Sequence, residues 1–177
     1  GRRESGGENV ASNRRETGVP DASAIKRNKR NISAQNLWSG FLFGVGTVAF
    51  IDEAVFHQLL NWHHFYDRST TGAGLFSDGL FHALSWFATI GGLFMLADLR
   101  RGGALQGDRW FGGILSGAGA FQLYDGTIQH KVLRIHQIRY NVDPLPYDLV
   151  WNLSAAVMLA VGICILLRSR RRATWCS

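Results

Sequence analysis

The chain has 177 residues, which is the length of one domain, and 19 Lys and Arg against 13 Asp and Glu give it a net charge of +6. That charge would suit a nucleic-acid-binding protein, but it lies at the two ends of the chain and leaves an apolar middle, so no nucleic-acid partner is expected. Two cysteines exclude a disulfide framework, and no motif indicates a hydrolase triad, a phosphate-binding loop or a dinucleotide site.

The first element in the chain is a basic tail, and a second basic tail closes it. Residues 1–36 contain eight Lys and Arg, and residues 168–177 contain four. Both segments are predicted to be disordered and to lie beside an anionic cytoplasmic membrane surface. The mean hydropathy of −0.01 is therefore an average over two basic tails and an apolar middle.

Four apolar segments between the tails predict transmembrane helices. They cover residues 37–60, 79–99, 110–133 and 149–167, each close to the roughly 20 residues that cross a bilayer. The alternative is a soluble bundle of unusually apolar helices. The fourth segment argues against it, because it is apolar on all sides and is followed by the basic run RSRRR. We therefore predict an all-α polytopic membrane four-helix bundle over residues 37–167.

The first and third segments carry the same pattern. Residues 40–64 align without a gap to residues 113–137, with eight identities in 25 positions where chance gives roughly two. The identities include a Gly-x-x-x-Gly pair in each segment, a pattern that lets membrane helices approach closely. The second and fourth segments both open with an aspartate, Asp78 and Asp148. The bundle is therefore predicted to consist of two tandem two-helix repeats.

The distribution of Lys and Arg among the loops predicts the orientation. Basic residues are more frequent in the tails and in the 98–109 loop than in the 61–78 loop, with the 134–148 loop intermediate. Because basic loops stay on the cytoplasmic side, both termini are predicted to be cytoplasmic. Every histidine of the chain then falls on the outer side of the membrane.

The clustered histidines and acids predict a metal site. Asp52 and His63 are eleven residues apart, about three helical turns, and so share a helix face, as do Asp125 and His136. Ionisable groups at membrane depth cost ~2.5–3.5 kcal/mol each and usually face the bundle interior. Imidazoles with nearby carboxylates suit Zn, Cu, Fe or Ni. The predicted ligands are His57, His63, His82, His130 and His136, with Asp52, Asp78 and Asp125 as ligands or orienting groups.

Several residues of this polar set also have a structural explanation. Asp78 and Asp148 could cap the second and fourth helices. A single histidine near a membrane interface is often only a hydrogen-bonded structural residue. Capping does not account for Asp52 and Asp125, because both lie inside spans.

The motifs around these residues resemble a bacterial four-span membrane family known as domain of unknown function 2243. They are F-x-D-x-x-x-x-H-Q and W-H-H between Phe50 and His64, D-G-L-F-H-A from Asp78 to Ala83, Tyr124-Asp125-Gly126 with His130 and Ile135-His136, and Tyr147-Asp148. The chain departs from the family at Gln129, Lys131 and Gln137, where further Asp and His are usual. Helices one and two are therefore expected to supply the firmer ligands.

The resemblance implies copper handling at the outer face of a bacterial inner (plasma) membrane, since some relatives are joined to a membrane protein of copper-site assembly. A respiratory oxidase or its assembly factors would then be partners, besides the lipid bilayer. The leading hypothesis is an outward-facing His/Asp transition-metal site, with copper favoured over zinc or iron. Two alternatives stay open: a membrane redox enzyme with a di-iron centre or a haem between His57 and His130, and a proton or ion pathway through Asp52 and Asp125.

Overall fold

The computed structural model describes residues 21–175, and within them every regular element is helical, as predicted. This described part of the chain forms four helices. They are α1, Ala22–Asp52, which continues as a π-helical segment, Glu53–Leu59; α2, Thr71–Arg101; α3, Gly107–Leu123, which continues as a second π-helical segment, Tyr124–Leu133; and α4, Leu145–Trp175.

The helices extend beyond the predicted spans. Residues 22–36 and 168–175 were predicted as parts of disordered tails, but they are helical. Helix α2 begins at Thr71, eight residues before its predicted start, and the hydroxyl of Thr70 caps it by accepting from the Ala73 amide. Asp78 therefore lies in the second turn of α2 and is not its cap. The prediction for residues 1–20 falls outside the described residues.

Within residues 21–175, three helical stretches are long and apolar enough to cross a membrane. They are Ala22–Leu59, Thr71–Arg101 and Leu145–Arg172. Helix α3 with its π-helical segment does not reach the same mean hydropathy, because it is rich in glycine and carries polar side chains. A fourth crossing therefore stays a prediction.

The distribution of polar side chains is the reverse of that in a soluble protein. Among the described residues, fifteen polar or charged residues are buried against only six apolar ones. Large apolar side chains point outward instead, as at Phe87 and Phe94 on α2 and Val150 on α4. In water this arrangement would leave apolar surface exposed and would desolvate polar groups, whereas a bilayer solvates the apolar side chains. This distribution is the one expected of a helical bundle that is surrounded by lipid.

Glycines bring α1 and α3 into direct backbone contact, as the Gly-x-x-x-Gly pairs predict. A Cβ added at Gly44 would fall against the Ile114 carbonyl, and one at Gly113 would lie 2.5 Å from the Leu37 oxygen. Gly117 approaches the Phe41 carbonyl in the same way. Because both helices are fixed at this distance, the polar segments that follow them are held side by side.

Buried polar bonds tie the opposite end of the bundle. The Asn36 amide donates to the Ala104 carbonyl at 3.0 Å, and its oxygen accepts from the Gln106 amide at 2.7 Å. One turn later, the Ser39 hydroxyl donates to the Gly92 carbonyl at 2.8 Å. These bonds fix α1 against α2 and the α2–α3 connection.

Candidate metal centre

The two helices that carry the polar cluster change from α to π geometry at similar points. The first π-helical segment begins at Glu53, directly after Asp52, and the second begins at Tyr124, directly before Asp125. Single π-helical insertions are frequent at functional sites, because the wider turn redirects the side chains of that turn. Here each one lies where the buried acid and the first histidine occur.

Each π-helical segment ends in the same reversal of the chain. Asn61 and Arg134 adopt the left-handed conformation, with φ of 48° and 50°. The next amide, of Trp62 or Ile135, then donates back over six residues, with N–O distances of 2.9 and 3.1 Å. The reversal turns His63 back toward the helix that precedes it, and it does the same for His136.

Two groups of one acid and two histidines result, and we name them half-site 1 and half-site 2. Half-site 1 comprises Asp52, His57 and His63, and half-site 2 comprises Asp125, His130 and His136. All six residues are buried, and within each half-site one ligand atom of every residue lies within 4.8 Å of the others.

The half-sites form one continuous cluster. The His63 and His136 rings stack on each other, with centroids 4.6 Å apart and planes 7° apart. Each of these rings also meets the first histidine of its own half-site edge-on, at 4.4 Å for His57 and 4.7 Å for His130. Four imidazoles from the two halves of the chain therefore lie in mutual contact.

The Nδ1 atom of every imidazole in the cluster is held by an acceptor. His63 donates through Nδ1 to the Ile138 carbonyl at 3.0 Å, and His136 donates through Nδ1 to the Phe65 carbonyl at 2.9 Å. These two bonds are reciprocal, because each loop supplies the carbonyl for the histidine of the other loop. They hold both rings in a fixed orientation.

The other two Nδ1 atoms meet carboxylates. His57 Nδ1 lies 3.2 Å from Asp78 Oδ1 and 2.8 Å from Glu53 Oε2. His130 Nδ1 lies 3.2 Å from Asp148 Oδ1. A carboxylate behind an imidazole fixes its tautomer and raises its basicity at the opposite nitrogen.

These contacts determine which nitrogen can bind a ligand. A carbonyl oxygen only accepts, so the proton of the neutral His63 and His136 rings is on Nδ1 and the lone pair is on Nε2. His57 and His130 have carboxylate oxygens beside both of their ring nitrogens. All four Nε2 atoms, of His57, His63, His130 and His136, are buried without a hydrogen-bond partner among the described residues. Buried polar atoms are normally satisfied, so four together, all of one type, indicate a group that binds them.

The two central carboxylates complete the donor set. Asp125 places its oxygens 3.2 Å from His130 Nε2 and 3.4 Å from His136 Nε2, and Asp52 places one 3.8 Å from His57 Nε2. The carboxylates thus lie beside the Nε2 atoms, on the side of the rings that faces the centre of the cluster. A cation between carboxylate and imidazole would satisfy both groups.

Burial disfavours a proton on His63. Burial, and then the neighbouring His57 and His136, lower the pKa of His63 to about 2. This imidazole is therefore neutral at physiological pH, and its Nε2 lone pair is not lost to a proton.

Asp78 and Asp148 contact the cluster from outside, at the Nδ1 atoms of His57 and His130. Asp78 accepts from His57 and also from His64, whose Nδ1 lies 2.6 Å from Asp78 Oδ2, and from the Phe65 amide at 2.7 Å. On the other half, Asp148 bonds both His130 and the Lys131 ammonium group. Both aspartates thus orient a histidine from behind.

Six of the eight predicted site residues form the two half-sites. Asp78 lies outside them and contacts His57 Nδ1. The eighth, His82, is half-buried on α2 against the Phe50 ring, with centroids 5.3 Å apart, and does not belong to either half-site. Helix three contributes as many groups as helix one, although helices one and two were expected to supply the firmer ligands.

Sequence reasoning did not select Glu53 or Asp148 as partners of the cluster, nor the carbonyls of Phe65 and Ile138. Capping was one explanation offered for Asp148, but the residue lies inside the first turn of α4 and contacts His130. Its correspondence to Asp78 was the available signal. No sequence signal identifies a particular main-chain carbonyl.

An all-α chain that exposes apolar side chains, buries a cluster of histidines and acids, and has three helices suited to crossing a bilayer is an integral membrane protein. Residues 39–169 match the family described as "Predicted membrane protein (DUF2243)", so the chain belongs to that family. No curated protein and no solved structure matches the chain.

Proposed function

We propose that this membrane protein binds transition-metal ions in the buried cluster, one in each half-site. The observation that carries the proposal is the set of four buried Nε2 atoms that make no hydrogen bond within the described residues and lie beside the carboxylates of Asp52 and Asp125. Two neighbouring carboxylates would neutralise much of the charge of the bound ions, which lowers the cost of a cation at membrane depth.

The residues present fit such ions. Four imidazole nitrogens and two carboxylates suit Cu(II), Zn(II) or Fe(II), whereas the described cluster contains no thiolate or thioether that would select Cu(I). Asp78 and Asp148 would act as the carboxylates behind ligating imidazoles, which orient the rings and strengthen the Nε2 donors. Glu53 and Asp78 form a further group with His57, outside the two half-sites. Both carboxylates lie on the Nδ1 side of the His57 ring, and we assign them to this orienting role.

Copper is the ion we favour, because Cu(II) binds a given nitrogen and oxygen site most tightly among the divalent metals of its series. The protein would hold copper and pass it on, with a respiratory oxidase or its assembly factors as the receiving partner. The copper association implied by the motif resemblance supports this partner class.

A haem between His57 and His130 fits the geometry poorly. The rings of His63 and His136 stand in contact with both of these histidines, at centroid distances from 4.4 to 6.3 Å, so a macrocycle would have to displace them. A di-iron centre uses the same six residues as the copper proposal, and metal identification separates the two. A proton or ion pathway would instead leave purified protein free of metal.

We further propose four membrane crossings, with both termini cytoplasmic and the cluster near the outer surface. The bias of Lys and Arg toward the tails and the α2–α3 connection supports this orientation. Introduced cysteines test it in a background without the native ones: a membrane-impermeant maleimide should label Ser69→Cys on intact cells and should label Leu105→Cys only after lysis. The reverse pattern would place the cluster on the cytoplasmic side.

The metal proposal is tested by elemental analysis of protein purified in detergent, stripped of metal, loaded with Cu(II) and desalted. We expect two copper ions per chain in the native protein and loss of both in the His63→Ala/His136→Ala double variant. His82→Ala is the matched control, because it removes an imidazole that lies outside both half-sites, and it should retain two ions.

Other outcomes are equally decisive. The proposal would be overturned if desalted native protein held no Cu(II), Zn(II) or Fe(II). The proton or ion pathway would then be the function to test, by measuring whether Asp52→Asn abolishes proton flux into proteoliposomes. One ion per chain would show that the half-sites share a single ion. Loss of metal in His82→Ala would return His82 to the ligand set.

A further inference from the structure

The two half-sites have matched ligands but different surroundings. Each contains one central carboxylate and two imidazoles. The difference lies in the groups that contact the first histidine, His57 or His130, from its Nδ1 side. A carboxylate at this position strengthens the donor atom of the imidazole, and loss of such a partner commonly lowers metal affinity by about 10–100-fold. The outer groups therefore determine how strongly each half-site would hold an ion.

Two carboxylates surround His57 in half-site 1. Glu53 Oε2 lies 2.8 Å from His57 Nδ1 and Asp78 Oδ1 lies 3.2 Å from it, and these side chains are only 0% and 1% exposed. The amide of Gln58, which donates to Glu53 Oε1 at 2.7 Å, is uncharged. A proton on His64, whose Nδ1 lies 2.6 Å from Asp78 Oδ2, would offset only one of the two negative charges. Half-site 1 thus keeps net negative charge behind its ligand.

The outer groups of half-site 2 cancel in charge. One carboxylate oxygen of Asp148 lies 3.2 Å from His130 Nδ1, and the other oxygen bonds the Lys131 ammonium group. The side chain of Lys131 is also 54% exposed, so water screens this pair, whereas the two acids beside His57 are shielded from water. Because electrostatic interactions are stronger away from water, half-site 1 has the advantage in both charge and burial.

The internal repeat shows which residues cause this difference. At the offset of 73, Gln58 aligns with Lys131 and Glu53 aligns with Gly126. A Cβ added at Gly126 would lie 2.8 Å from the Trp151 ring, so the packing of α4 leaves little room for an acid at that position. The half-sites therefore differ through two aligned pairs of residues, while their ligands correspond.

We propose that half-site 1 holds its metal ion tightly and that half-site 2 holds its ion more weakly, as the exchangeable site. The inference rests on the proposed metal-binding function and specifies which of the two ions the protein gives up first. Affinity for a cation rises with the negative charge around its site. Glu53 acts through His57, and Lys131 acts through Asp148, so both residues tune an ion that they do not themselves bind.

The test compares the first Cu(II) ion bound by two variants, each of which lacks one central carboxylate. Metal-free Asp125→Asn and Asp52→Asn proteins in detergent are titrated with Cu(II) in competition with nitrilotriacetate. Asp125→Asn keeps half-site 1 intact, and its first dissociation constant should lie about tenfold or more below that of Asp52→Asn. Only first ions are compared, because repulsion between two bound ions would separate the constants of identical sites as well.

Exchanges in the outer groups test the cause and leave every residue of both half-sites in place. Glu53→Gln should weaken the first dissociation constant of the otherwise native protein by about tenfold. Lys131→Gln introduces the residue that the repeat has at position 58. It should leave the first constant unchanged and tighten the second by about two- to fivefold, a smaller effect because the lysine is partly solvated.

Matched controls remove one charge of each sign far from the cluster. Asp98→Asn and Arg100→Gln lie near the end of α2, about 30 Å along the helix from Asp78, and should change neither constant. If either aspartate variant fails to fold, Glu53→Gln and Lys131→Gln still decide the question, because they alter no ligand.

The failures of the two proposals can be distinguished. If native protein binds no Cu(II) in competition with nitrilotriacetate or without it, the metal-binding function itself is wrong. If native protein binds two ions, but the first constants of Asp125→Asn and Asp52→Asn agree, the metal sites stand and the inequality is overturned. A first constant that does not respond to Glu53→Gln would overturn it in the same way.

Discussion

The close contact between α1 and α3 makes Gly44→Ala an informative perturbation. The added Cβ would lie 2.9 Å from the Ile114 carbonyl carbon and 3.0 Å from the Ala118 nitrogen, where ordinary contact begins at 3.4 Å. These are backbone atoms, and the Ile114 carbonyl oxygen lies nearer still, so no side-chain rotation relieves the clash and the helices must part by about an ångström. Overpacking of this kind costs about 1–3 kcal/mol.

A cost of about 2 kcal/mol corresponds to a fall in Tm of about 4–8 °C for a chain of this size. Thermal unfolding in detergent, followed by circular dichroism, measures it. Because Gly44 lies about two turns before Asp52, parting the helices would also separate the two half-sites, and copper retention should fall in the same variant.

Gly91→Ala is the matched control, since it makes the same chemical change in α2 with no atom within 4 Å of the new Cβ. There the alanine should stabilise the protein by about 0.4–1 kcal/mol, because it restricts the unfolded chain. Should Gly44→Ala unfold at the same temperature as Gly91→Ala, the tight interface between α1 and α3 would be refuted.

Three other changes test separate parts of the structure. Asn36→Leu removes two buried bonds to the α2–α3 connection and should cost about 1–3 kcal/mol in thermal unfolding; an unchanged Tm would contradict those bonds. Trp62→Leu should cost about 0.5–1 kcal/mol through loss of the Arg139 guanidinium, which lies 4.8 Å from the ring centroid, and a double-mutant cycle with Arg139→Met should isolate that coupling. Burial raises the pKa of Tyr140, so its contribution to stability is present below the ordinary tyrosine pKa and is lost as the pH rises through the raised value. Tyr140→Phe should abolish this loss of stability at alkaline pH. If the loss persists in the variant, another group causes it.

Much of the fold was predictable because hydrophobic length and small-residue spacing are local signals. The glycine pairs located the contact between α1 and α3 without any coordinates, since only glycine permits helices to approach that closely. The helix ends were less predictable. Helix α1 begins at Ala22 within a basic segment, where composition favours disorder but does not forbid a helix.

The candidate site was predictable in its residues more than in its geometry. The eleven-residue spacing of Asp52 and His63 suggested a straight helix face, whereas the structure joins them through a π-helical segment and a left-handed residue, Asn61. The outcome is similar because both routes return the histidine to the acid. His82 shows the limit of such reasoning: it follows Asp78 by one turn, but about 40° around α2 separates the two, and packing against α1 determines which one faces the cluster.

The crossed bonds between the loops have a consequence for biogenesis. Because His63 is locked by the Ile138 carbonyl and His136 by the Phe65 carbonyl, neither hairpin can preorganise its own donors while the other is still being synthesised. A nascent, half-inserted chain would therefore present no finished chelating pocket to stray cations. In the proposed function, a metal ion would therefore bind only after both halves of the chain have inserted into the membrane and packed against each other.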